Sequence, residues 1–594
     1  MQYRTMLAPW RAVVTTCCAL GLFALSACDK ENAHKEVEYK GAVQENNLPW
    51  WQVAQGWDYQ SQMGFWFQPQ GARQMPYVWF LILEQENSTQ LFRSDANIER
   101  LRYIPAPKMP GFNEDALPIG FTKSEKPDER GVYWMGMTCA ACHTAKLNLG
   151  GEEILIDGGP GLGDYVAYNT ELVNALVASY EDDAKFKRFA TKVLGENYTE
   201  ADASKLRNEM EEQSMEMAAL NELNHSSLAY GYGRVDAFGA ILNRVVAEDI
   251  GVPENKMEAN APVSYPFLWG TPQSSVVQWN GSAPNNKDGA GPLFRNVGEV
   301  VGVNGVVEVK PADSDDFIEK GDVIDDFVSK ASYFGYASSV NLPNVGQIEE
   351  WLQELRSPKW PQNLLPEIDK AKATKGKKLY GEHCVGCHHV VARKDEAKPY
   401  DPVMVPITEL GADPRMAANF LYKKNPKTGE PWKSGKLEGS RLLLVTGEKY
   451  GATLPSRGEA LVTLVSGVTL GHPLPALEAD YESYYSRHKE VMNANLMSYK
   501  ARPLTGIWAT APYMHNGSVP NLYEMLLPEE DRTKNFYVGS RRFDPVRVGY
   551  EHDEAPNTFA FDTTLDGNRN TGHNVGKALT DDERWAIVEY LKTL

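Results

Sequence analysis

The sequence predicts a mainly α protein of two domains with long loops, preceded by an aromatic-rich N-terminal extension. Three observations predict it. The five-residue word C-x-x-C-H occurs twice, as Cys139-Ala-Ala-Cys142-His143 and as Cys384-Val-Gly-Cys387-His388. Residues 165–223, 371–381 and 580–594 carry helical spacing with few breakers. Residues 49–80 concentrate aromatic side chains, among them Trp50, Trp51, Trp57, Phe65, Trp66, Phe67, Tyr77, Trp79 and Phe80.

Length and composition set the frame. A chain of 594 residues is long enough for several domains. With 42% hydrophobic and 23% charged residues it has the balance of a soluble globular protein. The net charge of −19 argues against a nucleic-acid partner and suits steering of a basic electron donor. There are seven cysteines. Cys17, Cys18 and Cys28 lie in or at the end of an apolar N-terminal run, and the other four make up the two repeated words. C-x-x-C-H is the attachment signal of c-type haem: the thiols add across the vinyl groups and the histidine binds the iron. The expected cofactors are therefore two covalently bound haem c groups, attached through Cys139, Cys142, Cys384 and Cys387 and ligated by His143 and His388. A C-x-x-C pair also serves as a redox disulfide or as half of a zinc site. The wide separation of the pairs, the histidine after each and an export signal favour haem.

That export signal occupies residues 1–27. Arg4 and Arg11 lead into an apolar stretch, the layout of a secretory signal peptide. It ends Leu25-Ser26-Ala27-Cys28, which resembles a bacterial lipobox with Cys28 as the acylated residue; ordinary cleavage after Ala27 is the alternative. The expected location is periplasmic, lipid-anchored to a bacterial membrane. No later apolar run is long enough to span a bilayer. Residues 28–48 are polar and read as a flexible tether.

Residues 49–125 form the aromatic extension, read as packing on the first haem domain, with an access channel for an apolar substrate as the alternative. The first haem domain is 126–300. Its Ile154–Gly161 stretch is a short strand ending in a glycine turn with no nucleotide fingerprint. Residues 165–223 are a helical insert in which Met210, Met215 and Met217 read as core filling rather than as ligands. Arg234 is placed to pair with haem propionates, or else with Asp236. Residues 301–365, with the acidic run Asp313–Asp326, connect to the second domain, 366–594. There, Thr580-Asp-Asp-Glu583 is a capping box ahead of an apolar face of Trp585, Ile587, Val588, Leu591 and Leu594.

Several segments resemble a known family. Gln278-Trp279-Asn280-Gly281 is similar to the Gln-Phe-Trp-Asp-Gly segment of bacterial dihaem cytochrome c peroxidases. In that family the tryptophan carries electrons between the haems, and a distal glutamate follows twenty residues later, where Glu299 stands here. Within the superfamily the layout looks closest to the rubber oxygenase branch: a long N-terminal extension, a large insert before Trp279 and the Trp-Asn-Gly spelling. There a phenylalanine near the first iron leaves an apolar pocket; Phe294 is the candidate, with Phe267 next. Gly376-x-x-Leu379-Tyr380 resembles the N-terminal helix of cytochromes c, which crosses the C-terminal helix beside the haem. The resemblance thus implies two cytochrome c-like haem domains.

For the second iron the sixth-ligand candidates are His573, His515, Met497, Met514 and His389. Gly572-His573-Asn-Val-Gly576 stands where the peroxidases carry a methionine, which favours His573, and bis-histidine ligation lowers the potential. Ala511-Pro-Tyr513-Met-His515-Asn-Gly resembles a superfamily motif that shapes the haem surroundings without ligating iron. His225, His472, His488 and His552 read as surface or core. A calcium ion, bound in the peroxidases between domains, would use carbonyls near Ala501-Arg502-Pro503. The activity implied is reduction of hydrogen peroxide at the first haem. Glu299 is the acid–base group, and electrons from a small donor such as a cytochrome c pass through the second haem and Trp279. A dioxygenase acting on an apolar substrate beside Phe294 is the alternative, and a non-catalytic dihaem electron carrier is the third reading.

Overall fold

A computed structural model describes residues 41–44, 48–285, 291–309, 336–438, 451–471 and 495–594. The signal sequence, Cys17, Cys18, Cys28, the acidic run Asp313–Asp326, His472 and His488 lie outside the described residues. Gly41–Leu594 form one unit. No helix among the described residues is long and apolar enough to cross a membrane.

Seven strands surround the first C-x-x-C-H: β1 (Ala42–Val43), β2 (Trp51–Val53), β3 (Met75–Pro76), β4 (Phe121–Lys123), β5 (Trp134–Met137), β6 (Thr144–Leu149) and β7 (Glu152–Asp157). They form two sheets, ordered β1-β2-β7-β6 and β3-β5-β4. The aromatic extension is part of both. Its β2 runs parallel to β7, with Trp51 opposite Ile154, and its β3 pairs with β5. Between them, helix α1 (Tyr59–Phe67) starts where the Asp58 side chain accepts from the Ser61 N–H at 2.8 Å. From Ser61 to Phe67 this helix is buried, with Met63, Phe65 and Trp66 in the core.

The insert consists of three helices: α2 (Tyr165–Glu181), α3 (Asp183–Leu194) and α4 (Glu200–Leu223), capped by Asp164, Asp182 and Thr199. Met210 and Met217 are buried in their shared core, while Met215 is exposed. Helix α5 (Ala237–Asn243) follows, capped by Asp236. Helix α6 (Gly291–Gly302) turns Phe294, Val297, Val300 and Val301 into a core that it shares with Ala460, Leu464, Val465 and Val468. Helix α7 (Lys370–His383) ends at the second motif, α8 (Arg457–Leu470) starts at a Ser456 cap, and α9 (Asp581–Leu591) starts at the Thr580–Glu583 capping box.

Helices α7 and α9 cross at backbone contact. A Cβ on Gly376 would fall 1.9 Å from the carbonyl oxygen of Ala586, so only glycine permits the crossing. Tyr380 and Tyr590 meet edge to face, 5.2 Å apart, beside it.

The expectation of a mainly α fold of two cytochrome c-like domains does not hold. Nine small sheets occur among the described residues, none with more than four strands, so the fold is mixed. The two motifs also sit in different frames. The second caps a helix, whereas the first is a short turn between β5 and β6. Most strands here are two to four residues long, and they pair across long stretches of chain, as Asn535–Val538 does with Phe559–Asp562. Strands that short show no period-two pattern to read.

Candidate functional site

At the first motif, Thr138 follows β5 and its side chain accepts from the Ala140 N–H, starting the turn Cys139–Ala141. Gly120, at φ +83°, lets the preceding loop press on that turn: a Cβ there would lie 2.0 Å from the Ala141 nitrogen. His143 N–H closes on the Cys139 carbonyl at 2.9 Å. The imidazole Nδ1 lies 2.7 Å from the carbonyl oxygen of Pro266. A carbonyl only accepts, so Nδ1 carries the proton and Nε2 is left with its lone pair for a metal. The second motif repeats this geometry, with His388 Nδ1 donating to the Arg502 carbonyl at 2.7 Å. Burial lowers the pKa of both rings, that of His143 to about 4, which keeps them in the neutral, ligating form.

The four cysteines of the motifs form no disulfide. Burial pushes the Cys139 and Cys142 thiols up to about 12 and Cys384 to about 11. Such thiols hold little thiolate at neutral pH, which does not suit a redox dithiol. Zinc would require the ligands to converge, and no group of three or more His, Cys, Asp or Glu does so among the described residues.

The second site fits an iron between two imidazoles. The rings of His388 and His573 are 6.2 Å apart, centre to centre. Two metal–nitrogen bonds of about 2 Å, plus about 1 Å from each nitrogen to its ring centre, give roughly 6 Å. Of the other candidates, His389 is exposed. His515 is buried with its ring stacked on Tyr499 at 4.1 Å. Met497 and Met514 pack with Trp279 in an apolar cluster. The His573 backbone sits at φ +52° and is held from both sides. Its N–H donates to the Leu410 carbonyl at 2.8 Å. The buried Arg532 donates to the carbonyls of Asn570, Gly572 and His573 at 2.6, 2.8 and 3.0 Å.

Buried donors near these sites lack partners: Arg234 Nε, Trp279 Nε1, Asn280 Nδ2 and Arg502 Nε. These four donors suit carboxylates, such as the propionates of haem, although the neighbouring Thr144 and Ser282 hydroxyls and His573 Nδ1 are unpartnered as well. Arg234 does not pair with Asp236, which instead accepts from the Gly239 and Ala261 N–H groups. Its guanidinium donates to Tyr230 and Pro262 carbonyls and to Asn568, and burial lowers its pKa to about 9. Arg234 and Trp279 both neighbour His515. The indole is edge-on to that imidazole at 6.4 Å, and burial together with Arg234 brings the His515 pKa down to about 3.

Glu299 and Phe294 lie on one face of α6 and line a cavity of about 70 Å³ together with Gln278, Phe238, Phe420 and Leu461. Burial raises the Glu299 pKa, with Arg295 opposing and Glu349 adding to the rise. Among the described residues Glu299 forms no ion pair: Arg295 is taken by Glu349 and Asn285. Glu299 is close enough to Cys139 to raise its pKa, which links the cavity to the first motif. Phe267 is not in this cavity. It adjoins Pro266 on the proximal side of His143, stacked on Trp269 at 4.8 Å and covered by Arg502 at 3.6 Å. The Arg502 carbonyl, expected to serve calcium, accepts from His388 Nδ1. Arg532 and Tyr499 carry no site signal in the sequence, and Arg502 is marked there only through its segment's carbonyls. Arg502 and Arg532 act through backbone carbonyls, which no side-chain pattern marks.

Comparison with known proteins adds two findings. Residues 498–537 match the family described as RoxA-like, cytochrome c-like. That stretch contains Arg502 and Arg532, which hold His388 and the His573 loop, and His515 beside Trp279. The chain is also 30% identical over 607 residues to the uncharacterized protein y4iJ of Sinorhizobium fredii (strain NBRC 101917 / NGR234), covering 92% of each chain. The chain belongs to the y4iJ family. A second protein of that strain, y4iM, is 24% identical over 371 residues, 55% of this chain and 63% of its own length. The RoxA-like segment implies haem c, and with it a haem-dependent oxidoreductase. The match is to one cytochrome c-like segment, in keeping with the strand-bounded frame of the first motif.

Proposed function

We propose that this member of the y4iJ family carries two c-type haems and reduces hydrogen peroxide beside Glu299, with electrons entering at the second motif. The observation that carries this reading is Glu299: a carboxyl lining a cavity, in no ion pair among the described residues, raised in pKa and near enough to Cys139 to act on its thiol. When bound, haem supplies one-electron redox chemistry and, where its iron lacks a sixth protein ligand, a place for an exogenous ligand.

The chain's residues divide the remaining work. His143 and His388 present Nε2, fixed by Pro266 and Arg502, and His573 closes the second site. Peroxide reduction consumes two electrons and two protons and yields two waters. A protonated Glu299 can donate to one peroxide oxygen and, once ionised, accept a proton from the other. Trp279 and His515, in edge contact, offer an aromatic path toward the cavity loop at Gln278. The second motif is the more open: Cys387 is exposed, while Cys139 and Cys142 are partly covered, which supports electron entry there from a small protein donor. The Leu25–Cys28 segment supports a lipid-anchored, periplasmic protein.

A second reading, oxygenation of an apolar substrate by dioxygen, is favoured by the apolar lining of the same cavity and by the RoxA-like match. Turnover separates the two. The purified holoprotein is given hydrogen peroxide with a reduced cytochrome c, and separately dioxygen with an isoprenoid. Donor oxidation dependent on peroxide supports the first reading; dioxygen uptake without a donor overturns it in favour of the second.

A further inference from the structure

The two histidines that follow the motifs lean on one hydrogen-bonded unit. His143 Nδ1 donates to the Pro266 carbonyl at 2.7 Å. The carbonyls of Phe267 and Trp269, in the same segment, accept from Nη1 and Nη2 of Arg502, each at 2.8 Å. The carbonyl of Arg502 itself accepts from His388 Nδ1 at 2.7 Å. The guanidinium lies 3.6 Å over the Phe267 ring, and the Trp269 indole donates to the Thr505 carbonyl at 2.8 Å. One residue therefore touches both proximal arrangements, its side chain on one and its main chain on the other.

Arg502 is buried and forms no ion pair among the described residues. Burying a cation that has no carboxylate partner among the described residues is costly, so its hydrogen bonds must be specific ones. What arginine adds is a planar fork that fixes two carbonyls at once. The Nδ1–H bond of a ligating histidine sets its orientation and its donor strength toward the metal. A shift of residue 502 thus alters that bond directly at His388, and at His143 through residues 266–269.

We propose that Arg502 is a positioning residue shared by both sites, coupling the orientation of His143 to that of His388. The inference rests on the two-haem reading. The test is redox titration of full-length holoprotein, wild type against Arg502→Met and Arg502→Lys, with Arg532→Lys as a control that touches the His573 loop and the Leu527 carbonyl but neither Pro266 nor Arg502. Haem content is measured first: fewer than two per wild-type chain would sink the two-haem reading itself. With two haems present, both midpoint potentials are expected to move in Arg502→Met, and to move less in Arg502→Lys, while Arg532→Lys moves only the second. If only the second midpoint moves in the Arg502 variants, the coupling is refuted. Should neither variant retain haem, the wild type still decides. Reducing its second centre alone should change the electron paramagnetic resonance signal of the ferric first centre, and an unchanged signal overturns the proposal.

Discussion

Replacing Gly376 by alanine isolates the packing that frames the second site, because two effects of opposite sign meet there. Taken alone, α7 would gain about 1 kcal/mol from alanine in place of glycine. At the crossing, however, the new Cβ would lie 1.9 Å from the Ala586 oxygen, 2.5 Å from its carbonyl carbon and 2.9 Å from Tyr590 Cβ. Ordinary contact begins at 3.4 Å, so α7 and α9 must separate by about 1.5 Å. The two nearest atoms are main chain and the third is a Cβ, so none can rotate away. Overpacking of this kind costs about 1–3 kcal/mol, and a backbone clash belongs at the upper end, which leaves about 2 kcal/mol of net destabilisation. Because α7 delivers Cys384, the loss should reach the second centre first. Chemical denaturation followed at the absorption bands of each haem reads both effects. A variant as stable as wild type, or more so, would show that the helices do not meet as described.

His573→Ala is expected to convert the second centre from low spin to a form that binds added imidazole, leaving the first unchanged by electron paramagnetic resonance; a change confined to the first reverses the ligand assignment. Glu299→Gln keeps the side-chain shape but cannot ionise, and should lower peroxide turnover by about 10²–10⁴-fold at unchanged haem content; full turnover removes Glu299 from the mechanism. The pH dependence of stability has one strong local source in Asp157, whose carboxyl burial holds at about 6 against 3.8, although Gln62 and Trp66 donate to it. A raised acid pKa stabilises the protonated state, so this contribution is full below 3.8 and lost as pH rises through about 6. It amounts to about 3 kcal/mol. Asp157→Asn should flatten the fall in denaturation midpoint across that window; an unaltered slope would contradict it.

The sequence disclosed the parts of the molecule that depend on covalent chemistry or helical spacing. The C-x-x-C-H words, the glycine of the helix crossing and the Thr580–Glu583 capping box are each marked by residue type at fixed spacing. His573 was reachable because a ligand must be a particular side chain. Of the strands, β7 was legible as the short apolar run that ends at Gly158, but its pairing was not: it meets β2, a hundred residues earlier in the chain, through a register only two residue pairs long. Nor could spacing tell Phe267 from Phe294, since the side of the imidazole each approaches depends on which carbonyl receives His143. Pro266 and Arg502 do that work with backbone oxygens, which every residue has. The lack of an ion pair at Glu299 among the described residues is likewise tertiary: Arg295 is its near neighbour in sequence but turns to Glu349, more than fifty residues on.

The inequality of the two sites is tested most directly by adding azide to the oxidised holoprotein and recording its electron paramagnetic resonance spectrum. One low-spin centre, ligated by His388 and His573, should be untouched, and the other, on His143, should bind one azide per chain. Two low-spin centres that both ignore azide, or binding at the His388 centre, would contradict the assignment of the first motif as the reaction site.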